Sequence, residues 1–275
     1  MTKKITIKED WHIHTHFSGC SNDPEQNVQN ICHIAGKSNL SAIGFADHLW
    51  QNPDKSTWPE YLAKNNHEII AELREEIANA NIPSDLQVFL GAEAEMTGFN
   101  QFSITKDFAE TLDFVLMPHN HIHQNYIKKP AICTAENLIN FLLDRFSICA
   151  KSGLATIMAH PMLPYGFMEF FAPGILNCSE QKMIDIYGLA AERNIFFELN
   201  SDYFSQAKSP EQHEAILKII NCAKCSGCRF TYGSDAHYPQ AISAVYINEI
   251  AKTAEEAGLL QEDFANIGDI IKRKI

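Results

Sequence analysis

Twelve histidines stand in a chain of 275 residues. Nine fall in short clusters, several beside acids: His12, His14, His16, His48, His119, His121, His123, His160 and His237. In His12-Ile13-His14 the spacing is that of one strand face, because residues i and i+2 point the same way. Two imidazoles so placed can grip one cation, although alone the pair could equally be two packed core histidines. Asp10 could orient one of the rings. Glu93 follows Gly91-Ala92 at the end of an apolar run. A carboxylate there is costly to bury unless it is paired or metal-bound. Unlike an imidazole, it can also bridge two cations. Glu95 lies two residues on and on the same face, but Glu93, nearer the strand, is the better ligand.

His119, His121 and His123 alternate after the FVLM run, so at least one turns inward. His160 sits between Ala159 and Pro161. Asp235 and His237 close the sequence GSDAH, again at same-face spacing. Imidazole mixed with carboxylate suits zinc, manganese or iron rather than an all-oxygen calcium site. His12, His14, Glu93, His121, His160, Asp235 and His237 are too many for one tetrahedral ion. They suit two ions that share a carboxylate. A third ion could use His48, His237 and residue 20.

Something must bring these groups together. Short apolar runs near 10–14, 41–46, 86–92, 112–117, 154–159, 194–200 and 228–233 read as strands. Segments of helical period near 24–37, 60–80, 134–151, 179–192, 210–226 and 255–265 separate them. Thr134 and Ser209-Pro210 open two helices as caps do, and Gly153 and Gly227 end two helices just before strands. Strand and helix alternating at this spacing predict parallel strands with helical crossovers, in a barrel or near-closed sheet. In barrels the chemistry sits at the strand C-terminal ends. Those ends carry HIHTH, DH, GAE, HNHIH, AHP, ELN and GSDAH in turn.

The composition narrows the function. Hydrophobic residues make up 45% and charged residues 20%, a globular mix, and no linker or repeat divides residues 1–275. One domain is expected. The net charge of −12 opposes non-specific nucleic-acid binding but not a small anionic substrate held by metal ions. No apolar stretch nears the ~18 residues of a membrane helix. MTKKITIKEDW lacks the apolar core of a signal peptide. Eight cysteines in a chain this long read as reduced thiols, and the location expected is cytoplasmic.

Asp10-x-His12-x-His14-x-x-x-Ser18, the DH at 47–48, GAE at 91–93, AHP at 159–161 and GSDAH at 233–237 resemble the PHP superfamily, the polymerase and histidinol phosphatase superfamily of metal-dependent phosphoesterases. The match runs in order through nearly the whole chain. The resemblance implies a distorted seven-stranded (β/α)7 TIM-like barrel with two or three divalent metals at its C-terminal face. It implies that His12, His14, Glu93 and Asp235 hold one metal. Glu93 bridges to a second held by His160 and a strand-4 histidine, His121 rather than His119. Cys20, His48 and His237 hold a third. The activity implied is hydrolysis of a small phosphate monoester or nucleotide-type substrate by metal-activated water, with His16 and His48 as candidates for protonating the leaving group.

Two other readings stay open. An amidohydrolase also starts with HxH on a barrel strand, but its bridging lysine has no counterpart, because Lys106 and Lys128 fall off the strands. A non-catalytic metal-binding module is the alternative from another class. No P-loop or nucleophile-elbow motif is present. Cys222, Cys225 and Cys228 read as buried helix and strand residues rather than a metal cluster. Ser18 and Asn200 are candidate substrate contacts. Trp50 and Trp58 in 49–60, and the aromatics of 161–175, are candidate pocket walls. None of Arg74, Arg145, Arg193, Arg229 and Arg273 falls at a strand C-terminal end, so no arginine phosphate clamp is expected.

Overall fold

The structure, a computed structural model, describes residues 4–21, 23–51, 64–124, 127, 129, 131 and 134–271. Among the described residues ten strands are formed: β1 Glu9–Ile13, β2 Ala42–Phe45, β3 His48–Leu49, β4 Gln87–Ala94, β5 Met96–Gly98, β6 Gln101–Phe102, β7 Phe114–Met117, β8 Ile157–Met158, β9 Phe196–Asn200 and β10 Phe230–Gly233. β5 and β6 make a small antiparallel hairpin. All the others join one parallel sheet in the order β1-β2-β4-β7-β8-β9-β10, with β3 also on β4. The sheet rolls into a nearly closed barrel. His14 N donates to Ala236 O across the seam (3.0 Å), and Ala236 N donates back to His12 O (3.3 Å).

β3 continues the line of β2 along β4 after a break at Ala46-Asp47, so the barrel has seven staves. At the break, Asp47 turns its carboxylate to the chain after β1. It accepts both the backbone N–H and the hydroxyl of Thr15, each at 2.6 Å. The register after the break sets His48 opposite Glu93.

The barrel interior is filled on its N-terminal side by Trp11, Phe89 and Phe114, with Trp11 centroids 4.9 Å from Phe89 and 5.2 Å from Phe114. Gly91 makes room for them, since a Cβ there would lie 2.5 Å from the Phe114 ring. This plug leaves the C-terminal side of the barrel for polar groups. Outside, helices bury Leu138, Leu142, Phe146, Tyr187, Ile216 and Ile219 between themselves and the sheet.

The helices Val28–Lys37, Glu68–Asn79, Ala135–Lys151, Glu180–Ala191 and Pro210–Cys225 match five of the expected segments. Thr134 caps the third by accepting from Asn137 N, and Ser209 with Gln212 forms a capping box on the last. The sixth expected helix was misplaced. The helix runs over Ala244–Glu256 and ends before Gly258, whose φ of 72° is the left-handed stop of a helix end. A 3-10 turn at Gln261–Asp263 and a short helix at Ile267–Ile270 follow. Among the described residues no helix is long and apolar enough to cross a membrane.

Candidate metal centre

The strand ends bring His12, His14, His48, Glu93, His121, His160 and Asp235 to one point, with Cys20 and His237 on the rim of the same cluster. Glu93, at the end of β4, is 1% exposed. Its Oε2 lies 2.7 Å from His48 Nδ1 and 3.6 Å from both His12 Nε2 and His14 Nε2. Its Oε1 lies 3.0 Å from His160 Nε2 and 3.7 Å from His121 Nε2. One carboxylate thus has imidazoles at both oxygens. Asp235 Oδ1 adds contacts to His14 Nε2 (3.1 Å), His12 Nε2 (3.5 Å) and His237 Nδ1 (3.7 Å).

Among the described residues four groups have ligand atoms within 4.8 Å of one another: His12, Glu93 and His160; His12, His14 and Asp235; His48, Glu95 and His121; and His14, Cys20, His48 and His237.

Three rings share a further arrangement. His12 Nδ1 lies 2.8 Å from Glu198 Oε1, His121 Nδ1 2.9 Å from Glu95 Oε1, and His160 Nδ1 2.9 Å from Asn120 Oδ1. Each acceptor holds a proton on Nδ1, so that Nε2 is the nitrogen facing Glu93. Holding the far nitrogen in this way is how protein metal sites set the tautomer of a ligating histidine. Asn120 is itself fixed by donating to the carbonyls of His160 and Leu163.

Backbone strain is also concentrated here. His160 and Asp235 are left-handed, with φ of 30° and 54°. Non-glycine residues hold that conformation only where their surroundings impose it, typically at functional sites.

The charges interlock. Burial opposes ionisation of Glu93, but His48, His12 and His121 hold it well below the usual carboxylate range. Burial likewise opposes ionisation of Asp235, and His12 and the hydrogen bond with His14 reverse that. Burial would lower His12, yet Asp235, Glu198 and Glu93 push it well above its ordinary value. His237 rises to about 9 against its own burial, through Cys20 and Asp235. Burial would raise the Cys20 thiol, but the fields of His14 and His48 bring it down to about 2.

Other expected residues sit elsewhere. His16 packs on Phe17, and its Nε2 lies 2.9 Å from Glu76 Oε2, so its ring is engaged outside the cluster. Asp10 does not orient an imidazole: its Oδ1 accepts the backbone N–H groups of His12 and Ser234. Ser18 Oγ lies 3.1 Å from Cys20 Sγ. Asn200 is occupied in donating to Glu198 and accepting from Asp202 N.

His119 turns away from Glu93 to accept from Met162 N and pack edge-on to Phe146. Trp50 is core rather than pocket wall, and Trp58 and Lys128 lie outside the described residues. Tyr165 does form a wall, its ring 5.2 Å from His160 and 5.7 Å from His121, with its hydroxyl donating to Asp202. Lys106 is exposed on a short helix, Lys106–Ala109, beside Glu110. Arg145 is buried and holds the carbonyls of His119 and Met96. The seven described cysteines are free thiols, and Cys228 donates to Tyr187 O rather than joining Cys222 and Cys225.

The reading of single motifs missed Glu198 and Asn120. Both lay in clusters already noted, ELN and HNHIH, but each acts on a residue distant in sequence.

Compared with solved structures, the fold is similar to a histidinol phosphate phosphatase from Lactococcus lactis subsp. lactis, solved with zinc, L-histidinol and phosphate. The identity is 16% and the TM-score 0.56, over 92% of this chain and 95% of that one. It is also similar to a candidate histidinol phosphatase from Listeria monocytogenes, at 17% identity and a TM-score of 0.63, over 87% of this chain and 98% of that one. At these identities the likeness is one of fold. No family model and no curated protein matches the sequence.

Proposed function

We propose that this chain is a metal-dependent phosphoesterase of the PHP superfamily, acting on a small phosphate monoester or nucleotide-type substrate. The observation that carries the reading is Glu93, a buried carboxylate with imidazoles at both oxygens, three of them set by outside acceptors to offer Nε2. The donors fit divalent cations. His12 Nε2 and His14 Nε2 lie 3.2 Å apart, and two nitrogens that close need a proton or a cation between them. Mixed imidazole and carboxylate suits zinc, manganese or iron.

In this reading His12, His14, Asp235 and Glu93 hold one ion, and Glu93, His121 and His160 hold a second. Cys20, His48 and His237 hold a third. When bound, such ions supply an acidified water and neutralise charge on a phosphoryl group. They also reverse the local field of an acidic protein, so that an anion can approach. The chain's own residues do the rest. Glu198, Glu95 and Asn120 keep the rings aimed. Tyr165, its phenol pushed far up by burial and by Asp202, stays neutral and walls the mouth.

The test is hydrolysis of a generic aryl phosphate by chelator-stripped protein before and after zinc, manganese or iron is returned. Activity is expected to vanish on stripping and return with at least one ion. Full activity in the stripped protein would reject the reading.

Cys20 makes a separate prediction. A thiolate favours zinc over manganese, so Cys20→Asp is expected to lower the zinc preference by roughly tenfold, a typical size for an altered ligand environment. Competition titration of the two ions measures it, and an unchanged preference removes Cys20 from the ligand set.

A further inference from the structure

We infer that Glu198 is a positioning residue that sets two candidate ligands at once, His12 on β1 and His160 after β8. The inference rests on the metal-centre reading and extends it to a residue outside the ligand groups. Glu198 lies on β9 and is fully buried, so no solvent can replace a partner it loses. Its Oε1 accepts from His12 Nδ1 at 2.8 Å. Its Oε2 accepts from the backbone N–H of His160, and from Asn200 Nδ2 at 3.0 Å. The first bond fixes which His12 nitrogen is protonated. The second holds the strained left-handed backbone of His160. Both rings face Glu93, and the three residues form one candidate ligand group.

Only a carboxylate satisfies these partners. An amide that kept its oxygen toward His12 would turn its NH2 toward two N–H donors. Flipped, it would offer N–H to His12 Nδ1 and drive the ring proton to Nε2, where it would block the face toward Glu93. The neighbouring strand is shaped around this contact. A Cβ at Gly233 would lie 1.9 Å from Glu198 Oε1 and 2.7 Å from His12 Cβ. Glycine is needed there for the close approach, since Gly233 is not among the positive-φ glycines.

The test measures zinc affinity by competition with a chromophoric chelator, without substrate, so its outcome does not depend on phosphoesterase activity. Glu198→Gln and Gly233→Ala are expected to keep the fold and to bind zinc about 10–100-fold more weakly, the usual cost of losing such an outside partner. Gly233→Ala reaches the same contact with no change of charge. In zinc-loaded wild type, nitrogen-15 NMR of the histidines is expected to show His12 protonated on Nδ1 and not on Nε2. Wild-type zinc affinity in a folded Glu198→Gln overturns the inference, and so does a wild-type His12 protonated on Nε2. If both variants fail to fold, the wild-type tautomer decides alone.

Discussion

Glu93→Gln is expected to leave at most one tightly bound ion per chain and to reduce phosphoesterase turnover by about a thousandfold or more. That exceeds the roughly 10–100-fold cost of losing an outside partner. The carboxylate presents Oε1 to His121 and His160, and Oε2 to His12, His14 and His48. An amide can offer an oxygen to one side only, and the NH2 on the other side has no lone pair to give a cation. Two proposed sites therefore fail together, whereas loss of any single histidine should weaken one. Metal analysis after gel filtration reads the stoichiometry, and initial rates on an aryl phosphate read turnover. A variant that holds the wild-type metal content and turns over normally would show that Glu93 bridges nothing.

The same substitution has a sign in the metal-free protein. Glu93 is held ionised by His48, His12 and His121. Removing the charge strands the protonated imidazoles in a buried site, which costs up to about 3–5 kcal/mol when a buried pair loses a partner. The loss should be largest near pH 6 and smaller near pH 9, where the rings can shed their protons. Denaturant melts of metal-free protein at the two pH values measure it.

The barrel and the cluster were legible in the sequence for one physical reason. A polar residue ending an apolar strand has to be explained, and here every stave ended in one. All seven expected runs became staves of the barrel, at Glu9–Ile13, Ala42–Phe45, Gln87–Ala94, Phe114–Met117, Ile157–Met158, Phe196–Asn200 and Phe230–Gly233. Same-face spacing brought His12 and His14 to one side, and the structure buries both. The alternation failed one step later. Continued to His16, it would have added a third ring, but β1 ends at Ile13 and the bonds from Thr15 to Asp47 redirect the chain. His16 therefore meets Glu76 on the helix Glu68–Asn79 instead.

The residues that hold the rings were not legible, because tautomer control is a contact across the barrel. Glu198 lies 186 positions from His12, and Asn120 lies 40 from His160. No local pattern announces such pairs. The break that creates β3 was hidden likewise: Ala46-Asp47 reads as the continuation of a strand until the Asp47 carboxylate finds Thr15. Near the C-terminus the apolar period of Ala244–Glu256 was overlooked in favour of the stretch after it, although Gly258 marks where the helix has to stop.

Proton linkage gives the second large effect. At pH 7 metal uptake should release at least two protons per chain, one at each of two proposed sites, so that the apparent zinc affinity of each of those sites rises about tenfold for each pH unit. His12 is held well above its ordinary value and His237 stands near 9, so both carry a second proton in the metal-free protein at pH 7. Their coordinating nitrogens must lose it. Glu95 and Cys20, each near 2, and Glu93 and Asp235, well below the carboxylate range, are already ionised and release nothing. The stability of the metal-free protein runs the other way. The raised histidines contribute fully below 6.5, and that contribution fades as pH climbs through their folded values. The depressed carboxylates contribute fully above about 4.5, and that contribution is lost only in strong acid. The metal-free fold should therefore be most stable between about pH 4.5 and 6.5, whereas the stabilisation conferred by zinc should grow from pH 5.5 to 8. Calorimetric zinc titrations in two buffers of different protonation enthalpy count the protons, and melts with and without zinc at both pH values read the divergence. Zinc binding with no proton release would mean that the imidazoles facing Glu93 are not the groups that receive the ion.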